Sequence, residues 1–267
     1  MPTEIIAGRN AGFDYGLAGL CRFVRCAHCG QGAFLNDILV LSFAYTTDNQ
    51  RWAALGISCT QRRVPLHVLG YGKEHPGPCG FQEATEFLKG RSEEYIVITD
   101  SFDVICNRWD EDELRMLIDS APNLIMSVEP LVWPVGAPDT YPSADRYKWR
   151  AINGGQYCGR RGDIIVMWSE LMALWRLGAR AVAPLGGSSQ EILHRMYAAP
   201  DYFFTLDLEC RIFQTMIGEN AKFVEATFKH GRAIARNSIT KSYPMFLHFN
   251  GGKPQSPTFE DWKAILL

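Results

Sequence analysis

The sequence contains no long apolar segment, no internal repeat and no low-complexity stretch. Its longest apolar helical pattern, residues 164–177, is too short and too polar to span a bilayer, so no membrane partner is expected. The first 30 residues also lack a basic start followed by an apolar core. This absence favours the cytoplasm as the protein's compartment.

The chain also lacks a strong charge of either sign. It has 27 basic and 29 acidic residues and a formal net charge of −2, which argues against extended nucleic-acid binding but leaves local basic patches open. With 267 residues, 47% hydrophobic and 21% charged, it has the composition of a globular protein with a core of normal size. We predict an irregular N-terminal extension at residues 1–36 and one domain at residues 37–267. Homo-oligomerisation is left open.

A second CxxC motif is missing as well. Six of the eight cysteines stand apart from any such motif, and most of them lie in apolar patterns, as reduced and buried thiols do. Cys26 and Cys29 enclose His28 and form the exception. Because a structural zinc site needs four ligands, a local disulfide or free thiols are favoured there over zinc.

Strand and helix patterns alternate with a period near thirty residues over the first half of the chain, which is typical of a parallel α/β sheet. The predicted strands are 38–45, 66–69, the run from Tyr95, and 124–128. The predicted helices are 49–60, 82–88 and 111–120, the last capped by Asp110. The sequence of the second half predicts helices at 163–177 and 189–197, with late strands at 206–213 and 222–228.

Trp168 and Trp175 lie seven residues apart on one helix face and are expected in the core. The paired glycines within 151–159 indicate a bend or a close approach to a ligand.

The stretch YIVITDSFDVIC, residues 95–106, carries the strongest chemical signal. A short apolar run indicates a buried strand, which ends in two carboxylates, Asp100 and Asp103, three residues apart. A turn at Ser101 and Phe102 would direct both carboxylates to one point beyond the strand, where α/β sheets bind ligands. Two hard oxygen ligands suit Mg²⁺ or Mn²⁺, while an Asp-capped turn is the simpler alternative.

Seven segments follow one another in an order and spacing that resemble the glycosyltransferase domain of the procollagen lysyl hydroxylases. They are 41–48, 69–72 (LGYG), 99–105 (TDSFDVI), 127–134 (SVEPLVWP), 152–155 (INGG), 206–214 (LDLECRIFQ) and 248–251 (HFNG). The resemblance covers residues 38 to 253, most of the chain.

This resemblance implies a GT-A fold, an α/β domain with a mostly parallel nucleotide-binding sheet and flanking helices. It implies Mn²⁺ as cofactor, with Mg²⁺ as an alternative, and a UDP-sugar as donor. The expected reaction transfers a hexose, glucose or galactose, to an acceptor hydroxyl on a protein, a glycan or a modified nucleobase.

The resemblance also implies roles for individual residues. The expected metal ligands are Asp100, Asp103 and His248. The residues expected around the donor are Thr46 and Phe102 near the nucleoside, Asn153, Gly154 and Gly155 at the sugar, and Asn250, Gly251 and Lys253 at the diphosphate. Glu129 and Gln190 are expected to contact the reacting groups, Gln190 as a hydrogen-bond partner of a sugar hydroxyl.

Three features depart from the family pattern. The family has Asp-Asp-Gln where this chain has Ser188, Ser189 and Gln190. Glu83 replaces a donor-binding Lys, and His75 replaces a Trp. The missing acidic pair supports an alternative function, a non-catalytic domain that binds a nucleotide sugar or a glycan. A nucleotidyltransferase using the same kind of metal site is a weaker alternative.

Overall fold

A computed structural model of the chain describes residues 37–45, 53–73, 79–133, 141–178, 189–199, 204–229, 231–250 and 258–267. The predicted extension at residues 1–36, with its Cys26 and Cys29, lies outside the described residues. The same is true of Thr46, Gly251 and Lys253.

Strands and helices alternate along the first half of the described chain, as predicted. The elements are β1 Ile38–Phe43, α1 Ala53–Gln61, β2 Leu66–Leu69, α2 Cys79–Lys89, β3 Tyr95–Asp100, β4 Val104–Cys106, α3 Glu111–Ser120 and β5 Ile125–Glu129. Helix α3 begins at the predicted cap, where the Asp110 side chain accepts a hydrogen bond from the Glu113 backbone N–H.

The second half combines longer helices with short strands. The elements are β6 Ala151–Arg160, α4 Arg161–Gly178, α5 Ser189–Ala198, β7 Thr205–Leu206, β8 Phe213–Thr215, a 3-10 helix Gly218–Phe223, β9 Val224–Lys229, β10 Arg232–Asn237, β11 Phe246–His248 and α6 Phe259–Leu266.

The main sheet has six strands in the order β2-β1-β3-β6-β5-β7. Strand β6 is antiparallel to both of its neighbours, and the other pairs are parallel. This arrangement confirms the predicted α/β class with a mostly parallel sheet. Because β1, β3 and β5 run in the same direction, their last residues, Phe43, Asp100 and Glu129, lie at one edge of the sheet.

Apolar side chains cover both faces of this sheet, which explains the nearly continuous apolar sequences of β1 and β3. On one face Trp168 is fully buried, and its indole N–H donates to the Tyr157 hydroxyl at 2.5 Å. Trp175 is partly buried and packs against the same cluster, so the core prediction is confirmed for Trp168 and only in part for Trp175. Cys59, Cys106, Cys158 and Cys210 are buried free thiols, as expected.

Residues 151–160 form a single strand, which the sequence did not indicate, and the strand carries a bulge. Met126 of β5 lies opposite Tyr157, whereas Val128 lies opposite Ile152. Ser127 therefore lies opposite four residues, 153–156, that include both glycines. A bulge of this kind redirects side chains and is common next to active sites.

The prediction of a single strand over residues 206–213 was wrong. Strand β7 ends at Leu206 and β8 begins at Phe213. Between them the buried carboxylate of Asp207 accepts hydrogen bonds from the backbone N–H groups of Arg211, Ile212 and Phe213, at 2.8 to 2.9 Å. These bonds stabilise a turn, because a carboxylate can satisfy several N–H groups that a strand would pair elsewhere. The predicted strand over 222–228 begins at Val224 because the 3-10 helix precedes it.

A second, three-stranded sheet has the order β4-β11-β8. Strand β11 pairs antiparallel with β4, which places His248 opposite Val104. It also pairs parallel with β8, which places His248 opposite Thr215. This sheet brings His248 next to the turn that carries the two aspartates. Within the part of the chain that is described, no helix has the length and apolar character to cross a membrane.

Candidate metal and catalytic site

The acidic turn joins β3 to β4, with Asp100 as the last residue of β3 and Asp103 just before β4. The Ser101 hydroxyl donates to the Phe43 carbonyl at 2.7 Å and so ties the turn to the end of β1. The Phe249 N–H donates to the Asp103 carbonyl at 2.8 Å and ties it to the end of β11. Hydrogen bonds to the ends of β1 and β11 therefore hold the turn that the sequence predicted.

His248 lies over both carboxylates and is buried. Its Nε2 atom is 3.4 Å from Asp100 Oδ2 and 3.4 Å from Asp103 Oδ1. Its Nδ1 atom is 3.1 Å from the Asn153 side-chain oxygen. Because an amide oxygen only accepts hydrogen bonds, Nδ1 carries the donated proton and Nε2 faces the carboxylates. Asn153 thus sets the ring orientation, as an outer partner does for a histidine that binds metal.

The charges of this cluster are strongly coupled. Burial opposes a charge on His248, but the Asp103 and Asp100 carboxylates outweigh burial and raise the pKa of His248 to about 10. Burial likewise works against the charge of Asp103, yet His248 keeps the pKa of that carboxyl below its usual value. A bound divalent cation would take the place of the imidazole proton, because a ligating imidazole is neutral.

The residues of the cluster fit a hard divalent cation. Asp100, Asp103 and His248 each offer one ligand atom, and these atoms lie within 4.8 Å of one another. A set of two carboxylate oxygens and one imidazole nitrogen suits Mn²⁺, and the oxygens suit Mg²⁺. The backbone of Gly155 approaches the cluster so closely that a Cβ there would lie 2.4 Å from Asp100 Oδ2 and 2.5 Å from His248 Cε1. Only glycine leaves room for these ligands.

Glu129 is a buried carboxylate next to this cluster, only 3% exposed at the end of β5. Its Oε1 accepts from the Gln190 amide at 2.6 Å. Its Oε2 accepts from the amides of Asn153 at 3.3 Å and Asn250 at 2.7 Å. Burial raises the pKa of Glu129, although these three amides favour the charged form. Since Asn153 contacts both Glu129 and His248, it links the carboxylate to the metal-binding cluster.

Gln190 connects α5 to the bulged strand. The Gly154 N–H donates to its side-chain oxygen at 3.1 Å, and its side-chain nitrogen donates to the Trp133 carbonyl at 2.9 Å. A Cβ on Gly154 would lie 3.2 Å from Gln190 Cβ, so the fit between β6 and α5 is tight here. Gln190 thereby joins β5, β6 and the segment that carries Trp133.

Nine of the predicted site residues come together at this edge of the sheet. They are Asp100, Asp103, His248, Glu129, Gln190, Asn153, Gly154, Gly155 and Asn250. Phe102 lies in the turn between the two aspartates, with its side chain 38% exposed. The predicted roles of Thr46, Gly251 and Lys253 concern residues outside the described part of the chain.

Glu83, which departs from the family pattern, pairs with Lys73, the residue after LGYG, at 2.5 Å. From the sequence, Lys73 and Lys89 were the two nearby candidates for the lost positive charge. Sequence reasoning missed His194, which lies on the same face of α5 as Gln190. The spacing of four residues between them was the available signal.

The comparisons with known proteins agree with the resemblance. No protein-family model matches the chain. Mouse procollagen-lysine,2-oxoglutarate 5-dioxygenase 2 is 25% identical over 233 residues, 81% of this chain and 30% of that protein. The human multifunctional procollagen lysine hydroxylase and glycosyltransferase LH3 is 26% identical over 70% of this chain and 26% of its own length. An uncharacterized mimivirus protein, R699, is 26% identical over 72% of this chain and 41% of its own length.

The chain is thus distantly homologous to the procollagen lysyl hydroxylases, and it spans about a third of the length of the curated relatives it matches. Among solved structures, a glycosyltransferase involved in glycosylation of the major capsid of PBCV-1 matches with a TM-score of 0.48 and 15% identity, over 85% of this chain and 99% of that one.

Proposed function

We propose that this chain is a metal-dependent glycosyltransferase of the GT-A type. It moves a hexose, glucose or galactose, from a UDP-sugar to an acceptor hydroxyl on a protein, a glycan or a modified nucleobase. The observation that carries this proposal is the Asp100, Asp103 and His248 cluster, which Asn153 joins to the buried Glu129. The distant homology to a protein named as a glycosyltransferase supports it.

In this proposal Asp100, Asp103 and His248 would hold Mn²⁺. A bound cation of this kind neutralises the charge that develops on the leaving diphosphate. Asn153 keeps His248 oriented toward the two carboxylates, and Gly155 leaves the space that they need. Phe102 packs beside the nucleoside, and Asn250, with the predicted Thr46, Gly251 and Lys253, surrounds the donor.

Glu129 has the properties of a group that binds or deprotonates the attacking hydroxyl. The Gln190 amide donates to Oε1, and a carboxylate oxygen can accept a second hydrogen bond, which in this proposal comes from the acceptor hydroxyl. Burial raises its pKa, which makes it a better proton acceptor than an exposed glutamate. Gln190 orients this oxygen, and its side-chain oxygen, which accepts from the Gly154 N–H, can accept a second hydrogen bond from a sugar hydroxyl.

Removal of the metal tests the proposal directly. The purified chain with UDP-glucose or UDP-galactose is expected to release UDP in Mn²⁺, to stop in EDTA and to resume when excess Mn²⁺ is added. Chromatography of the nucleotide products measures this. The proposal is wrong if no common UDP-sugar is bound or turned over with Mn²⁺ present. Release of pyrophosphate from UTP and a sugar 1-phosphate, without release of UDP from a UDP-sugar, would instead indicate nucleotidyl transfer.

A second candidate function is a non-catalytic domain that binds a nucleotide sugar or a glycan. It is favoured by Ser188 and Ser189, which stand where the family has two aspartates. If it is correct, the wild type binds UDP with Mn²⁺ but releases none from the sugar donor. The double variant Ser188→Asp, Ser189→Asp then gains turnover. Equal turnover by the wild type and the double variant would eliminate this candidate, and calorimetry with UDP serves as the binding control.

A further inference from the structure

Three side chains form a continuous stripe on one face of α5. Gln190, His194 and Tyr197 are spaced by four and three residues, which places them above one another on a helix. The stripe faces two points of the chain that follow β5, the carbonyl of Trp133 and the ring of Tyr141. Gln190 belongs to the proposed site, whereas His194 and Tyr141 have no role in it so far.

His194 is 1% exposed, and both of its ring nitrogens have partners. Its Nε2 lies 2.6 Å from the Trp133 carbonyl oxygen, and its Nδ1 contacts the Tyr141 hydroxyl. Because a carbonyl oxygen only accepts, Nε2 must donate. A neutral imidazole then has an unprotonated Nδ1, which accepts from the Tyr141 hydroxyl. Burial lowers the pKa of His194 and so favours this neutral form.

The Tyr141 ring is itself fixed by α5. It stacks on Tyr197 with ring centroids 4.7 Å apart and planes 8° apart. It also meets the His194 ring edge to face at 5.5 Å. Aromatic contacts with this geometry hold a ring in one orientation. The hydroxyl that supports His194 is therefore pre-positioned.

The Trp133 carbonyl is the point where His194 meets the proposed site. It accepts from His194 Nε2 at 2.6 Å and from the Gln190 side-chain nitrogen at 2.9 Å. That nitrogen also donates to Glu129 Oε1 at 2.6 Å. An amide NH₂ has two hydrogens, so both hydrogens of Gln190 are used by these two acceptors. Any movement of the Trp133 carbonyl would change the direction of the Gln190 hydrogen that Glu129 receives.

We propose that His194, supported by Tyr141, is a positioning residue for the acceptor side of the site. It fixes the Trp133 carbonyl and, through Gln190, the orientation of Glu129. This inference rests on the proposed function. His194 is not part of the metal-binding cluster, so its effect falls on turnover and not on the binding of metal and nucleotide.

The test compares His194→Leu with His194→Gln, whose side-chain amide can still donate near the position of Nε2. His194→Leu is expected to lower the Mn²⁺-dependent hydrolysis of UDP-glucose roughly 10- to 100-fold, as a misplaced active-site group does. The dissociation constant for UDP in Mn²⁺ stays within about twofold. His194→Gln recovers most of the rate.

Two further variants complete the experiment. Tyr141→Phe keeps the stacked ring but removes the hydroxyl, and a drop of a few-fold is expected. Arg195→Gln changes an exposed residue of the same helix and is expected to have no effect. A folded His194→Leu variant with wild-type turnover would overturn the inference. Parallel loss of turnover and of UDP binding would overturn it too, since it indicates general damage.

A readout without turnover separates this inference from the proposed function. In protein labelled with 5-fluorotryptophan, the Trp133 fluorine signal is identified by its loss in Trp133→Phe. His194→Leu is expected to shift or broaden that signal, and His194→Gln to preserve it. An unchanged Trp133 signal in a folded His194→Leu variant would contradict the positioning role. If the wild type fails to bind or hydrolyse UDP-sugars while this signal responds, the proposed function is wrong and the positioning contact is correct.

Discussion

Replacing Gly155 with alanine is expected to remove Mn²⁺ binding from an otherwise folded chain. The new Cβ would lie 2.4 Å from Asp100 Oδ2 and 2.5 Å from His248 Cε1, closer than any non-bonded contact allows. The His248 ring is buried, whereas the Asp100 side chain is 54% exposed and free to swing into solvent. Rotation of the Asp100 side chain relieves the first clash, and the second requires a shift of the His248 ring, so both metal ligands are displaced. We expect Mn²⁺ affinity to fall about 100-fold or more.

Calorimetric titration of Mn²⁺, with and without UDP, measures this effect. Gly162→Ala is the matched control, because a Cβ on Gly162 has no atom within 4 Å. It should bind Mn²⁺ like the wild type. Asp103→Ala, which deletes a ligand, should reproduce the Gly155→Ala loss. Wild-type affinity in both Gly155→Ala and Asp103→Ala would mean that the metal does not bind at this cluster.

Replacing Glu129 with glutamine is expected to stop sugar transfer while Mn²⁺ and UDP still bind. In the wild type, the carboxylate accepts hydrogen bonds from three amides. The glutamine amide would turn its own N–H groups toward at least one of these donors, and it cannot take up a proton from an attacking hydroxyl. Loss of a positioned base typically lowers a rate by about 10²- to 10⁴-fold, so we expect a drop in that range.

The rate of UDP release from UDP-glucose gives the turnover number, and calorimetry gives the affinity for UDP in Mn²⁺. Glu86→Gln is a suitable control, because Glu86 is an exposed residue of α2 that pairs with Lys89 on the surface. Unchanged turnover in Glu129→Gln would assign Glu129 a purely structural role. A loss of UDP affinity as large as the loss of turnover would mean that Glu129 contributes to donor binding and not to the transfer step.

Local patterns were sufficient for the elements that carry the aspartates. The run from Tyr95 and the two carboxylates after it predicted both β3 and the acidic turn, because a buried strand and its turn are encoded within a few residues. The helix N-cap at Asp110 was predicted for the same reason. The sequence did not predict strand β6, since two glycines within a ten-residue segment favour a bend locally.

Other members of the site were predicted only through the resemblance to known proteins. His248 and Asn153 lie 95 residues apart, and Asn250 and Glu129 lie 121 residues apart, so no local pattern links them. The pairing of β11 with β4 brings His248 to the acidic turn. The bulge of β6 brings Asn153 and Gly155 to the same point.

The order of apolar and polar residues along short segments was enough to predict the α/β class and the acidic pair Asp100 and Asp103. The residues that support this pair became known from the three-dimensional contacts. Asn153 sets the tautomer of His248, Gln190 donates to Glu129, and His194 contacts the Trp133 carbonyl. Each of these contacts joins elements that are distant in sequence. Hydrophobic periodicity reports which side of an element is buried, but it carries no information about the polar partner that a buried side chain meets.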